Sequence, residues 1–470
     1  MEARKFEQPV EQVETVKPFG TKDRLGYMFG DLGNGLLFGF ISSYLLMFYT
    51  DVFGISAAAV GTMMVVARVW DAINDPMMGV IIDKQKPGKN GKFRPFILWG
   101  AIPLAIFAVL TFTTISGMSE NLKLVYAYVT YIGFGMAYTA VNIPYGSLSS
   151  VMTNDPVERT SLSTFRTIGS MLANLIAMVL TPMLIFNAEG GVSAEGFFKA
   201  AMIYALISTV CCVLTYRLTT ERVIHHVKSS NEPKIGILGS IKMLVKNRAL
   251  LGIMMASLGM LLALMLPMSL NGFLFKDYFK APKLLTLAGI VGMAASFIIM
   301  PFTGKFVAKF GKKETAASTL IISIVSYVVL FLFPVKNPYV FMGIYFISSL
   351  GAGFFNILTW ALVGDAIDYQ EYLTGKREEG IVYASYSLVR KLVQALIGGI
   401  GGFALSFIGY QSGAASQTQE VANGIMKLVT GIPLVGYIIG FLSLIFIYDL
   451  TKDKLAVVQE ELVKRREEIR

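Results

Sequence analysis

Runs of about 20 or more mainly apolar residues recur along this chain near 26–50, 56–83, 95–116, 122–152, 162–187, 197–217, 249–275, 284–304, 314–334, 338–366, 381–409 and 428–449. A helix of about 20 residues spans the hydrocarbon core of a bilayer. There it satisfies its own backbone donors and acceptors, which water cannot do. The spacing therefore predicts an all-α membrane protein of about twelve transmembrane helices. Only 15% of the residues are charged and 54% are hydrophobic, whereas a soluble domain carries about 25% charged residues.

The basic residues set the orientation. Of the 41 Lys and Arg, 30 fall in the N-terminal tail, the even-numbered loops and the C-terminal tail, against 7 in the odd-numbered loops and their borders. Positively charged loops stay in the cytoplasm, so both termini are expected there, in a multi-pass protein of the cell membrane. This placement gives the net charge of +10 a topological role, and with no aromatic–basic motif present it excludes a nucleic-acid partner. Cys211 and Cys212 are adjacent in an apolar run, which reads as packing and not as a disulfide framework. Residues 1–22 are polar, and no removable signal peptide is expected.

Five segments follow: a tail over 1–24, a six-helix bundle over 25–218, a hydrophilic connection over 219–248 containing His225-His226, a second bundle over 249–450, and a tail over 451–470. The two histidines read as loop residues, and no cofactor is expected. Gly79-x-x-x-Asp83-Lys84 with Gly88 to Lys92 after span two is echoed by Gly304-x-x-x-Ala308-Lys309 to Lys313 after span eight. Gly133-Phe-Gly135 in span four is echoed by Gly351-Ala-Gly353 in span ten. Glycine- and base-rich loops at these two places resemble those of the major facilitator superfamily. The resemblance implies two pseudo-symmetric six-helix bundles rocking around a central site.

The chemistry concentrates in span two. Arg68, Asp71 and Asp75 are three and four residues apart, which puts them on one stripe of a helix. Each charge at the bilayer centre costs about 2.5–3.5 kcal/mol on insertion scales, so the stripe should face a protein interior or a water-filled cavity. Two neighbouring acids repel unless a proton or a cation intervenes, which marks Asp71 and Asp75 as a site for Na+ or H+, with Asn74 and Thr139 adding neutral oxygens. The other polar residues of the spans are Asp31, Asn34, Asn142, Arg166, Asn356, Trp360, Asp365, Arg390 and Lys391. Of these, Asp31, Asn34, Asn142, Arg166, Asn356, Trp360 and Lys391 are expected to meet solute. Arg68, Arg390 and Lys391 are expected to balance charge, and Trp360 to stack a sugar ring. A guanidinium grips a carboxylate through two parallel hydrogen bonds, which suits an acidic sugar.

Arg68-x-x-Asp71-Ala-Ile-Asn74-Asp75-Pro, Gly91-Lys92-Phe93-Arg94-Pro95, Asn142-Ile-Pro144-Tyr145 and Asp368-Tyr369-x-Glu371-Tyr372 together resemble the glycoside–pentoside–hexuronide:cation symporters, from about Leu25 to the final span. The resemblance implies that Asp71, Asp75 and Thr139 serve the cation, that Arg166 lies at the sugar, and that Lys391 lies close to both. Melibiose permeases carry sugar-binding aspartates where this chain has Gly35 and Asn142, and tryptophans where it has Gly146 and Asn356. The expected substrate is therefore a glucuronide, xyloside or related pentoside, with Asp31 as a displaced carboxylate one turn before Gly35. Two alternatives are a cation-dependent lipid transporter of the same fold and a membrane-embedded enzyme. For the enzyme no HExxH, CxxC or nucleophile-elbow pattern is present.

Overall fold

The computed structural model describes residues 18–85, 88, 90–153, 155–187, 190–222, 247–375, 379–414 and 416–468. The tail to residue 17 and residues 223–246, with His225 and His226, lie outside the described residues. Among the described residues, thirteen α-helices follow in order: α1 (Thr21–Met47), α2 (Ala57–Lys84), α3 (Arg94–Thr111), α4 (Glu120–Met152), α5 (Pro156–Ile185), α6 (Ala194–Leu218), α7 (Arg248–Phe273), α8 (Leu285–Phe310), α9 (Lys312–Leu332), α10 (Pro338–Thr374), α11 (Glu379–Phe407), α12 (Gln419–Leu442) and α13 (Lys452–Glu468). Among the described residues, ten spans meet the length and apolarity of a membrane crossing; α2, carrying Arg68, Asp71 and Asp75, and α11, carrying Arg390, are not among them. No strand occurs among the described residues.

Helix starts are written locally. The side chains of Ser56, Ser119, Ser193, Asn247, Asn337 and Thr418 each accept from a backbone N–H of the first turn. Several ends differ from expectation, α10 running on to Thr374 and not stopping near 366 among them. Helix α3 stops at Thr111 and not near 116, with the Thr113 hydroxyl folding back to Val109 O at 2.8 Å. Helix α12 starts at Gln419 and not near 428, because Thr418 caps it and Lys427 sits on an exposed face that does not interrupt the helix.

The packing repeats. Helix α1 lies against α5 and α6, α2 against α4, and α3 against α4 and α6; α7 lies against α11 and α12, α8 against α10, and α9 against α10 and α12. Adding six to every helix number of the first set gives the second. The glycine pairs obey the same rule. Gly133 abuts Phe107 of α3 and Gly135 abuts Asp71 of α2, while Gly351 abuts Ser323 of α9 and Gly353 abuts Ile299 of α8.

A second repeat joins the halves. Both α1 and α7 run into a π-turn, Phe48–Val52 and Leu274–Tyr278. Phe53 N–H donates to Phe48 O at 2.9 Å and Phe279 N–H to Leu274 O at 3.0 Å, and each turn ends on a positive φ, at Gly54 (78°) and Lys280 (51°). The turns bring Asp51 and Asp277 together. Lys276 pairs with Asp51 and lies 3.6 Å from Asp277. Tyr410 donates to Asp51 Oδ1 at 2.8 Å and to Asp277 Oδ2 at 3.3 Å. Burial first, then the two carboxylates, pushes the Tyr410 hydroxyl far above the usual phenol range, so it stays a donor. This buried cluster, with the close approaches of Gly61 to Gly399 and of Gly289 to Met178, binds the halves at the end of the odd-numbered loops.

Candidate functional site

Helix α2 presents Arg68, Asp71 and Asp75 on one face, as their spacing requires. Arg68 donates to Asp71 Oδ2 at 3.2 Å, and its guanidinium lies 5.8 Å from the centre of the Phe38 ring in α1. Thr139 of α4 donates to Asp75 Oδ1 at 2.8 Å. One turn earlier, a side chain at Gly135 would come within 2.8 Å of Asp71 Oδ1, so only glycine lets the two helices close there. Asp71 and Asp75 on α2 thus face Gly135 and Thr139 on α4 rung for rung. Asn74 is buried beside the stripe, with an Nδ2 that has no partner.

Arg166 of α5 donates to Asp31 of α1 at 3.1 Å and remains 45% exposed. It lies 5.5 Å from the centre of the Tyr145 ring, which stacks on Tyr27 at 4.7 Å. Asp31, expected as a displaced carboxylate for the sugar, is the ion-pair partner of Arg166. Asn142 is half-buried between Tyr138 and Tyr145 on the same face of α4. Asn34 departs from expectation: it is 2% exposed with both amide atoms unpartnered, out of reach of a solute in this conformation.

In the second half, Asn356 and Trp360 of α10 are exposed. The Arg390 guanidinium lies 5.7 Å from the Trp360 ring centre. Trp360 meets Tyr386 edge-on at 5.5 Å, and the Tyr386 and Ser257 hydroxyls share a 2.9 Å hydrogen bond. Asp365 is held by Lys312 at 2.5 Å and is buried, a structural pair between α9 and α10. The side chain of Lys391 lies outside the described residues.

The glycines that depart from the melibiose permease pattern have distinct surroundings. A side chain at Gly35 would meet Ala173 at 3.1 Å, so α1 and α5 pack where a carboxylate would otherwise project; at Gly146 nothing lies within 4 Å. The aromatic shelves under the arginines were missed by sequence reasoning. Their signal was present: Tyr131, Gly135, Tyr138, Asn142 and Tyr145 follow one another at three- and four-residue steps. Chemically, the meeting of α2 and α4 offers two carboxylates and a hydroxyl of the kind a small cation takes, and the guanidiniums of Arg166 and Arg390 lie over aromatic faces.

Comparisons with known proteins agree with this architecture. A family model described as MFS/sugar transport protein matches residues 26–452. The isoprimeverose transporter of Lactiplantibacillus pentosus is 35% identical, over 90% of this chain and 88% of its own length. The glucuronide carrier protein homolog of Escherichia coli (strain K12) is 33% identical, over 94% of this chain and 95% of its own. Among solved structures, the crystal structure of a D-xylose-proton symporter superposes with a TM-score of 0.66 at 12% identity, covering 92% of this chain and 98% of that one. Relatives and structural neighbours are membrane transporters, which sets the enzyme alternative aside.

Proposed function

Since this chain belongs to the MFS/sugar transport family, in its glycoside–pentoside–hexuronide:cation symporter branch, we propose that it imports a glycoside across the cell membrane, driven by a co-transported Na+ or H+. Both termini are cytoplasmic in this reading. The observation that carries it is the meeting of α2 and α4, where Asp71 and Asp75 stand one turn apart opposite Thr139. Arg68 and Thr139 hold these acids before a cation arrives. A cation entering between the carboxylates competes with Arg68 for Asp71 and draws on the Thr139 oxygen, tightening α2 against α4.

The substrate then sits between Arg166, Asn142 and Tyr145 on one side and Asn356 and Trp360 on the other. Isoprimeverose and glucuronide in the names of the relatives are glycosides of the expected kinds. Whatever factor the cation adds to substrate affinity, substrate adds to cation affinity. In this reading the cluster of Asp51, Lys276, Asp277 and Tyr410 closes the outer side, and transport requires that cluster to part. Polar side chains across the cavity favour a sugar over a lipid as cargo.

The test is uptake by purified protein in proteoliposomes under separate Na+ and H+ gradients, with glucuronides, xylosides and galactosides as substrates. One cation should drive accumulation of a glycoside, and Asp75→Asn should abolish it. An Asp75→Asn variant that still concentrates sugar against a gradient overturns the site.

A further inference from the structure

Tyr410, which ties Asp51 to Asp277, also borders a cavity of about 400 Å³ that the transport reading does not use. Sites for small molecules run to about 300–1,000 Å³. Three segments wall it: the entry to α2 between Gly54 and Ala59, the first turn of α4 between Glu120 and Leu124, and the loop after α11 at Tyr410 and Ser412. The first two belong to one half and the third to the other. A side-chain carbon at Gly413 of that loop would lie 3.9 Å from Gly54, so the halves touch at the rim. The lining mixes donors and acceptors. Glu120 is an exposed carboxylate that, among the described residues, has no hydrogen-bond or ion-pair partner. Lys123 donates one N–H to Phe53 O at 3.0 Å, with its ammonium 5.8 Å from the centre of that ring, which fixes the group and leaves further N–H bonds to give. Asn121 adds an exposed carboxamide, and the Ser412 Oγ is buried without a partner. Ile55 and Leu124 supply apolar surface.

We propose that this cavity is a second binding site, for a neutral hydroxyl-rich solute of sugar size, and that its occupant clasps the two halves together at this end. The carboxylate and the ammonium of the lining cancel, so nothing there selects an ion. Hydroxyls that both donate and accept, carried on a C–H framework, match an acid, an amide and an ammonium set beside apolar side chains. Glu120 accepts from the solute, while Lys123 and Asn121 donate to it. Tyr410 contributes wall and not a donor, its hydroxyl being committed to Asp51 and Asp277. The site is distinct from the acids of α2. Asp71 lies twelve residues beyond Ala59, about 18 Å along a helix that rises 1.5 Å per residue. An occupant that touches both halves binds best while they lie together. By linkage it favours that arrangement by the same factor.

The experiment follows alkylation by N-ethylmaleimide of an Asn121→Cys variant of the full chain, purified in detergent. Both native cysteines, Cys211 and Cys212, are buried, so the introduced thiol reports the cavity. Cellobiose and methyl β-D-glucoside are expected to slow its labelling, and sodium acetate and choline chloride to leave it unchanged. In the same background, Glu120→Gln should raise the half-protecting concentration about tenfold to a hundredfold, the range of a hydrogen bond to a charged group. Ala59→Phe should fill the cavity and abolish protection. Tyr410→Phe keeps the ring in the wall but releases Asp51 and Asp277, and should raise the half-protecting concentration severalfold. Labelling that neither sugar slows, or that the salts slow as well as the sugars do, overturns the site. So does protection that Glu120→Gln leaves unmoved; this change is to an exposed side chain and keeps the test decisive should Ala59→Phe not fold. A concentration unmoved by Tyr410→Phe overturns the clasp. The assay needs neither a gradient nor transport, so its outcome stands apart from that of the transport reading.

Discussion

The two halves are the same arrangement of helices given opposite electrical characters. In the first, Gly135 of α4 brings α2 close at Asp71; in the second, Gly353 of α10 brings α8 close at Ile299. One turn on, Asp75 accepts from Thr139, whereas Thr303 returns its hydroxyl to Ile299 O at 3.0 Å within its own helix. Asp31 faces Arg166, while the corresponding Ser257 faces Tyr386. A scaffold that packs by glycine contacts is indifferent to what its cavity-facing positions carry. One half thus carries carboxylates at these positions, and the other a ring with a guanidinium over it.

The largest effect that sharpens this contrast is expected from removing the charge that only the first half has. Asp75→Asn should bring the accumulation ratio down to one while leaving exchange down a gradient measurable, and Thr303→Val on α8, in the second half, should not. Next comes the joint between the halves. Lys276→Met leaves Asp51 and Asp277 buried without their ammonium, and breaking such a buried pair destabilises it by roughly 3–5 kcal/mol. Labelling of an Asn142→Cys variant by an impermeant maleimide from the outside should rise by about a hundredfold or more; an unchanged rate would separate the cluster from gating.

A graft that erases the contrast ranks third. Ser257→Asp gives the second half the acid of the first, beside the Tyr386 hydroxyl that Ser257 now meets, and should weaken apparent sugar affinity by about tenfold, the scale of one hydrogen bond to a charged group. An unchanged affinity would place Ser257 and Tyr386 outside the surroundings of the sugar. The smallest effect is expected of Thr139→Val, which removes one neutral oxygen and leaves both carboxylates. The cation concentration for half-maximal uptake should rise only several-fold, in keeping with a hydrogen bond worth about 1 kcal/mol.

Legibility differed by feature. The spans were readable because a membrane helix must be apolar along nearly its whole length, and the stripe of Arg68, Asp71 and Asp75 because helical spacing fixes which side chains share a face. The glycine pairs announced the internal repeat, though not its reason, the contacts of Gly135 with Asp71 and of Gly353 with Ile299. The motif Gly91-Lys92-Phe93-Arg94 was visible without its partner. Lys92, Phe93 and Arg94 each donate a backbone N–H to the Glu221 carboxylate, at 2.7, 2.8 and 2.9 Å, from the far end of α6. The cluster of Asp51, Lys276, Asp277 and Tyr410 was hidden altogether, because its members lie in three separate loop borders and look like ordinary interfacial charges.

By itself, then, the sequence determined a bundle of membrane helices in two related halves and singled out the acids of α2, since bilayer thickness and helical periodicity act on neighbouring residues. Only the tertiary structure decided the partners. Asp31 is taken by Arg166, Asp365 by Lys312 and Asp51 by Lys276 across the halves, and among the described residues Arg390 is left with a ring and no carboxylate. Charge pairing in a low-dielectric interior is settled by distances of a few ångströms between residues tens to hundreds of positions apart, and no local pattern encodes them.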